Sequence, residues 1–430
     1  MAKRSYKAIQ YTTIILIITA LITSFLYMNR GTTEEIEEII EKVVKIDHSK
    51  EIREVLDKFD SIYYTGNREA NAVGCAVVIT YKGQVVFTKC FGVKKAGESD
   101  SIDVNTIFRL ASVSKTMTGV LAGILAEEKL IDLDEKVVNI LPEFRLANDS
   151  NTQNVTVRHL LSHSSGLVPH AFDMMVEDHV PFDQIFARLN EAEIAAPPGT
   201  VYAYQNVMYS VFAPVVEAKL QKPFNQVMQE KIFEPFEMKD ASLDFESFSQ
   251  NPDKAYPHQQ TGNPEKPVFT PLKLNNRYYT TAPAAGVNAS ISDMGQFLLA
   301  ISSKDDDLFS EEARKITYTP QIESILKRSY YRNWGALGTK YYALGWRIIH
   351  FKNHTIAQHS GFVQGYQSEI AVCPESEIGI AVLTNSPNSH TSTYLPSFLS
   401  LFFDHQQKMK LYANLHDSVP ETFNEEEVSN

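Results

Sequence analysis

Strand patterns lie at both ends of the central part of this sequence, and its middle is mostly helical in pattern. Residues 75–91 read as a β-hairpin around Lys82 and Gly83. Further strand patterns cover residues 342–351, 354–359, 366–372 and 378–384. Residues 106–345 carry helical patterns broken by proline and glycine loops. Because the late strands are joined by short connections, the sequence predicts an α+β fold whose antiparallel sheet is formed from both chain ends and flanked by helices. We expect a cleft between this sheet and a helical sub-domain.

Helical patterns also open and close this folded body. Residues 33–60 carry two apolar stripes at helical spacing. The second stripe fits the opening helix of the domain and comprises Ile52, Val55, Leu56 and Phe59. We expect a stalk helix at 29–49, a body at 50–407 with a closing helix at 395–403, and a loose acidic tail at 408–430.

The first residues are typical of a membrane anchor. Lys3, Arg4 and Lys7 form a basic end at residues 1–7, and residues 8–28 follow without a charge. As a helix those residues would span roughly 31 Å, the thickness of a bilayer core. The basic flank predicts a cytoplasmic amino end and a periplasmic or extracellular body. A cleaved signal peptide is the alternative, although no clear cleavage site is visible.

Composition narrows the possible partners and cofactors. The 430 residues are 43% hydrophobic and include 52 acidic against 40 basic residues, a formal net charge of -12. This balance disfavours nucleic-acid binding. There are three cysteines without a CxxC pair, and no HExxH motif, so we expect neither a metal nor another cofactor.

The segment Ser112-Val113-Ser114-Lys115 begins a helical pattern. Residues three apart are neighbours on a helix, so Ser112 and Lys115 should lie side by side. A serine hydroxyl needs an adjacent base to become a nucleophile, and a buried lysine can supply one. An ordinary capped helix is the alternative, because the same spacing recurs at Ser324 and Lys327 without further support.

Two other short motifs follow in order along the chain. Tyr204 and Asn206 form a Y-x-N motif on a loop after a Pro-Pro-Gly-Thr turn. The sequence His359-Ser360-Gly361 stands at the end of a late strand pattern. Each motif alone is weak, but the combination of the three in this order is specific.

Together the three motifs resemble the serine β-lactamase and penicillin-binding protein family. The similarity is to the branch of class C β-lactamases with its DD-peptidase, esterase and D-aminopeptidase relatives. Residues 160–167, LLSHSSGL, look like the LLxHxSGL segment of that branch, and residues 291–294, ISDM, look like another of its helix starts. The resemblance covers about residues 50–405.

This resemblance implies roles for the residues of the first two motifs. Ser112 would be the acylated nucleophile, and Lys115 would share or relay its proton. Tyr204 would act as the general base toward Ser112 or the leaving group. Asn206 would orient the substrate amide and the Lys115 amine.

The resemblance also implies roles for the third motif. His359 and Ser360 would line the cleft and meet the substrate, and Gly361 would let the substrate lie against the strand edge. The backbone N–H groups of Ser112 and Phe362 would form the oxyanion hole.

His359 stands where the strongest lactamases of the branch carry a lysine. Histidine titrates near pH 6.5 and is largely neutral at physiological pH. We therefore expect a membrane-anchored, outward-facing serine hydrolase that forms an acyl-enzyme on a D-amino acid peptide, ester or lactam. A class C-type β-lactamase is the first alternative, and a non-catalytic module that binds penicillin or peptidoglycan is the second.

Four other side chains of reactive types are expected to have structural rather than catalytic roles. His163 and Ser114 are expected to pack or cap rather than react. The hairpin pattern places Cys75 opposite Cys90, so a disulfide is possible in an oxidising compartment, but buried free thiols are favoured.

Overall fold

The structure is a computed structural model that describes residues 47–263, 267–304, 308–324 and 328–417. The chain divides into two units, Met1–Glu51 and Ile52–Asn430. In the first unit the described residues form the 3₁₀ turn His48–Lys50. The predicted anchor and nearly all of the predicted stalk lie outside the described residues. Within the described ranges, no helix combines the length and apolar character needed to cross a membrane.

In its described residues the second unit contains twelve strands, of which eight form one sheet. The strands are β1 Gly74–Tyr81, β2 Gln84–Gly92, β3 Phe108–Arg109, β4 His258–Thr261, β5 Val268–Pro271, β6 Asn288–Ala289, β7 Ile322–Glu323, β8 Tyr341–Tyr342, β9 Arg347–Phe351, β10 His354–Val363, β11 Tyr366–Cys373 and β12 Ile378–Thr384. The large sheet has the order β2-β1-β12-β11-β10-β9-β8-β7, and all its neighbours are antiparallel. The pairs β3–β6 and β4–β5 form two small sheets.

Helices surround this sheet and fill the segment between its early and late strands. The α-helices are α1 Arg53–Glu69, α2 Ser114–Glu127, α3 Val137–Ile140, α4 Asp149–Asn154, α5 Val157–Leu161, α6 Asp173–Glu177, α7 Phe182–Phe186, α8 Asn206–Ser210, α9 Phe212–Leu220, α10 Phe224–Met228, α11 Phe245–Gln250, α12 Ala282–Ala285, α13 Ile291–Ser302, α14 Glu311–Tyr318 and α15 Thr391–Asp417. Single turns of 3₁₀ helix occur at Ala111–Val113, Leu189–Glu191, Tyr279–Thr281 and Pro374–Ser376, a longer one at Arg328–Trp334, and a π-helical turn at Gln229–Phe233.

The sheet joins the two ends of the body, as the strand patterns predicted. Strand β1 pairs with β12 along its whole length, from Cys75 opposite Thr384 to Tyr81 opposite Ile378. Every residue of β1 is buried, because helices cover both faces of the sheet at this strand. The predicted mixed fold with a large antiparallel sheet and flanking helices is therefore confirmed.

Each face of the sheet has its own apolar core. On one face α13 and the helical segment cover side chains such as Ala76 and Val78. On the other face α1 and α15 cover the alternate side chains of the same strand, Cys75 and Val77. The predicted second stripe of the opening helix is buried in this second core, although α1 itself begins only at Arg53.

The hairpin has a different register from the one that its turn predicts. Lys82 and Gly83 form the turn with positive φ angles of 48° and 69°. A β-bulge between Ile79 and Thr80 shifts the pairing by one residue, so Cys75 faces Phe91 and Ala76 faces Cys90. The predicted opposition of Cys75 and Cys90 is therefore wrong. Both are free thiols, and they pack on opposite faces of the sheet.

The closing helix is longer than predicted. α15 runs to Asp417, so the loose tail that we expected from residue 408 is helical at least over its first ten residues. Its later residues include exposed apolar side chains such as Met409 and Leu411. Residues 407–412 are all exposed, but Gln, Lys, Met and Leu favour helix, which allows α15 to extend beyond the core. Residues 418–430 of the expected tail lie outside the described residues.

Candidate active site

Ser112 lies in the 3₁₀ turn that leads into α2. The preceding residue, Ala111, has a positive φ of 47°, a conformation that non-glycine residues seldom adopt. This sharp turn leaves Ser112 half-buried at the wall of a cleft, whereas the residues after it are buried in the core. The serine is thereby presented at the start of a buried helix.

Lys115 lies beneath Ser112 and is fully buried. Its Nζ donates to Asn206 Oδ1 at 2.8 Å and to the Ala284 carbonyl at 3.0 Å, and it lies 3.4 Å from Ser112 Oγ. Burial, reinforced by the positive charge of Arg347, holds the pKa of Lys115 well below its ordinary value. A neutral amine next to Ser112 can accept a proton.

Tyr204 approaches Ser112 from the loop before α8. Its hydroxyl donates to Ser112 Oγ at 2.8 Å. Burial raises the pKa of Tyr204, and the nearby Arg347 only partly opposes this effect, so the phenol keeps its proton. Asn206 begins α8 and donates from Nδ2 to the Asp173 carboxylate at 3.2 and 3.3 Å, which fixes its oxygen toward Lys115.

The edge of β10 closes the other side of the site. β9 pairs with β10 only as far as Gln358, so the following residues meet the Ser112 turn. A Cβ on Gly361 would collide with the Leu110 carbonyl oxygen and lie 2.9 Å from the Ser112 nitrogen. Glycine is therefore needed for the close approach of β10 to the nucleophile.

These elements enclose a cleft of about 610 Å³. Its walls include Ser112, Tyr204, Asn206, Ser360, Gly361 and Phe362 among the predicted site residues, together with His170, Asp173, Tyr278, Tyr330, Arg347 and Glu369. The side chain of Phe362 is 63% exposed, and its backbone follows the glycine at the strand edge. The structure thus brings six of the eight predicted residues to one cleft, with Lys115 directly below.

His359, like Lys115, is a predicted residue that does not line this cleft. It is fully buried, with Nδ1 donating to the Ser360 carbonyl at 2.8 Å and Nε2 accepting from the Tyr342 hydroxyl at 3.1 Å. Burial and the charge of Arg347 hold its pKa well below the ordinary value. The histidine is neutral, as expected, but it supports the strand from beneath.

Arg347 supplies the positive charge that the third motif lacks. It is 5% exposed and lines the cleft from β9, and its Nε and Nη1 atoms have no hydrogen-bond partner among the described residues. Its Cζ lies 4.8 Å from the ring centroid of Tyr330, 5.6 Å from that of Tyr204 and 5.8 Å from that of Tyr342. Sequence reasoning missed this residue, whose one signal is a charge within an apolar strand pattern.

His163 and Ser114 have structural surroundings. The His163 ring accepts from the Gln205 backbone at 3.2 Å and packs 4.3 Å from the Tyr204 ring centroid. Ser114 Oγ donates to the Ala111 carbonyl at 2.6 Å and accepts from the Val287 nitrogen at 2.9 Å. Both groups hold neighbouring parts of the site in position.

A serine hydroxyl between a buried lysine and a tyrosine, at the edge of an antiparallel sheet, defines a protein of the serine hydrolase class. Residues 50–396 match the family described as Beta-lactamase, and the chain belongs to this family.

Individual similar proteins are distant. The Unguisins hydrolase ungD' of Aspergillus campestris is 24% identical over 330 residues, which cover 74% of this chain and 59% of that protein. The octameric penicillin-binding protein homologue of Pyrococcus abyssi has a TM-score of 0.67 at 24% identity, covering 80% of this chain and 77% of that one. The β-lactamase/D-alanine carboxypeptidase of Yersinia pestis, complexed with citrate, has a TM-score of 0.63 at 20% identity, covering 82% and 98%. At these identities the structural likeness shows the fold alone.

Proposed function

We propose that this protein hydrolyses D-amino acid peptides or esters through an acyl-enzyme on Ser112. The carrying observation is the position of Ser112 Oγ, 2.8 Å from the Tyr204 hydroxyl and 3.4 Å from Lys115 Nζ. The lowered pKa of the Lys115 amine supports its role as the base, in place of Tyr204, whose raised pKa favours the role of acid instead.

In the proposed reaction, the Lys115 amine takes the proton of Ser112 as Oγ bonds to the substrate carbonyl carbon. The backbone N–H groups of Ser112 and Phe362 stabilise the resulting oxyanion. Tyr204 donates its phenolic proton to the leaving group as the bond between that group and the carbonyl carbon breaks, and it regains a proton from Lys115. Water then attacks the acyl carbon and gives one proton to the same network. The bond between this carbon and Ser112 Oγ breaks, the acid is released, and the network returns the proton to Oγ.

Arg347 favours a substrate with a carboxylate. A buried cation without a carboxylate partner is costly, and an anionic ligand in the cleft would relieve that cost. This feature favours a peptide with a free carboxyl end over a neutral ester, and the D-alanine carboxypeptidase among the similar folds is consistent with it. The neutral His359 makes efficient lactam hydrolysis the less favoured alternative.

The test compares turnover of an acyl-D-Ala-D-Ala peptide, a p-nitrophenyl ester and a chromogenic cephalosporin. We expect the peptide to be the best substrate and Ser112→Ala to lose all turnover. Ser324→Ala is the matched control, because Ser324 begins the second S-x-x-K sequence and does not line the cleft. A Ser112→Ala variant with normal turnover would favour the non-catalytic alternative, and preferred cephalosporin turnover would favour a lactamase.

We also propose that residues 8–28 anchor the chain in a membrane with the hydrolase domain outside. The support is the uncharged stretch after Lys3, Arg4 and Lys7. The full chain should sediment with membranes and resist carbonate extraction, and external protease should reach its domain in intact cells or spheroplasts. Release of the chain by carbonate would contradict an integral anchor.

A further inference from the structure

Arg347 is a cation and Glu369 a carboxyl group, and they face the same cleft without forming an ion pair. Both residues line its wall. Neither forms an ion pair with any residue in the described part of the chain, and the Nε and Nη1 atoms of Arg347 have no hydrogen-bond partner there. An arginine and a glutamate that could approach each other would ordinarily pair, so their separation needs a structural cause.

The strand register provides this cause. Arg347 on β9 pairs with Gln358 of β10, and Glu369 on β11 pairs with Ser360 of β10. Because Gln358 and Ser360 are alternate residues, all four side chains belong to one face of the sheet. The backbones of the arginine and the glutamate therefore stand on either side of β10, about 10 Å apart across two strand spacings.

Tyrosine rings prevent the guanidinium from crossing this gap. Cζ of Arg347 is near the rings of Tyr330, Tyr204 and Tyr342, which attract the cation and enclose it. The Tyr330 hydroxyl also contacts Ser360 Oγ, so this tyrosine forms a wall beside the space between the two charges.

Glu369, like Arg347, lines the cleft where a ligand could contact it. It is partly buried, and burial raises the pKa of its carboxyl to about 8, while the Arg347 charge acts in the opposite direction. A cation placed beside Glu369 would favour its ionised form, and an anion placed there would be repelled. A substrate whose only charged group is a carboxylate would therefore pair with Arg347 and leave Glu369 without a cationic partner.

We propose that Arg347 and Glu369 form one subsite for a substrate end that carries both a carboxylate and an ammonium group, such as a carboxyl-terminal diamino acid. The carboxylate binds Arg347, and the side-chain ammonium reaches across β10 to Glu369. This inference rests on the proposed hydrolase function, and it makes Glu369 a specificity-determining residue.

The test uses two peptides that differ by one charged group, acetyl-D-Ala-D-lysine and acetyl-D-Ala-D-norleucine. The wild type should have a kcat/KM at least tenfold higher for the lysine peptide, because a charge-assisted contact is lost with norleucine. Glu369→Gln should reduce this ratio to about one, with the change mainly in KM. Glu375→Gln is the matched control, since it removes an exposed carboxylate just beyond the far end of β11 and should keep the wild-type ratio.

Equal kcat/KM values for the two peptides in the wild type, or an unchanged ratio in Glu369→Gln, would overturn the subsite. A thermal melt of Glu369→Gln shows whether the variant is folded. Inhibition of the wild type by free D-lysine, but not by free D-norleucine, would be an independent test of the subsite that requires no variant. If neither peptide is hydrolysed and a fluorophosphonate does not label Ser112, the proposed function itself fails, which is a different outcome from equal turnover.

Discussion

At the scale of single residues, burial decides which groups around Ser112 carry a charge. Burial lowers the pKa of the Lys115 amine and that of the His359 imidazole, and it raises the pKa of the Tyr204 phenol. Arg347 remains charged because arginine does not deprotonate in proteins. A neutral amine close to the nucleophile and a fixed cation beside it are the two electrostatic features that the proposed reaction needs.

Replacing Lys115 with arginine tests the first of these features. A guanidinium cannot accept a proton from Ser112, so Lys115→Arg should reduce the acylation rate by about 10²- to 10⁴-fold. In the wild type the rate should rise with pH at values well below the ordinary lysine pKa, because the pKa of Lys115 is lowered. Stopped-flow acylation by a p-nitrophenyl ester measures both effects, and a variant as fast as the wild type would exclude Lys115 as the base.

The pH dependence of stability tests the raised pKa of Glu369. Its pKa in the folded chain is raised to about 8, so the stability associated with its protonated form is complete below about pH 4 and is lost as pH rises through about 8. Between about pH 5 and pH 9, the wild type should lose roughly 1–3 kcal/mol relative to Glu369→Gln, since partial exposure reduces the full effect. Urea unfolding at several pH values measures the difference, and parallel stability curves would contradict the raised pKa.

The residues of the site differ in how far sequence predicts them. Ser112 and Lys115 are three apart on one helix, so local geometry already makes them neighbours. Arg347 enters the cleft only because β9 begins at this residue, opposite Gln358 of β10. That placement depends on long-range strand pairing, which no local pattern encodes.

At the scale of elements, the contact between β10 and the Ser112 turn positions the nucleophile. Gly361→Ala should displace the strand from the turn, because the added methyl group collides with the Leu110 carbonyl oxygen. We expect acylation to slow about 100-fold, the effect of a misplacement of about 1 Å. Gly338→Ala is the control, since its Cβ would have no neighbour within 4 Å.

Acylation kinetics and thermal melts of both glycine variants provide the measurement. Equal rates for Gly361→Ala and the wild type would show that this close approach is unimportant. A slow Gly338→Ala variant would indicate a general effect of the substitution rather than a local one.

Strands and turns were predicted correctly where the local sequence carries the signal, either as alternating apolar and polar residues or as turn-forming residues. The hairpin and the late strands follow from such patterns, and the turn at Lys82 and Gly83 was located correctly. The bulge between Ile79 and Thr80 was missed, because buried apolar residues on both faces of β1 hide a shift of register. The cysteine pairing derived from that register was consequently wrong.

At the scale of the whole molecule, the first and last helices of the domain cover the same face of the sheet. Phe59 of α1 is fully buried, and its ring centroid lies 5.3 Å from that of Phe398 in α15. Phe59→Ala should lower the free energy of unfolding by about 3–5 kcal/mol. Tyr64→Ala on the same helix is the control, with an expected loss under about 1 kcal/mol because Tyr64 is 54% exposed.

Chemical unfolding of the two variants checks this arrangement. Similar losses for Phe59→Ala and Tyr64→Ala would contradict the packing of α1 against α15. The burial of Phe59 was predictable from its stripe, but its partner was not, since Phe398 lies more than 300 residues later in the chain.

The central claim, that Ser112 is the acylated nucleophile, is tested most directly by mass spectrometry after treatment with a fluorophosphonate. We predict one adduct per chain, located on Ser112 by peptide mapping, with full labelling of Ser324→Ala and none of Ser112→Ala. An adduct on Ser114 or elsewhere, no adduct on the folded wild type, or labelling that persists in Ser112→Ala would contradict the claim.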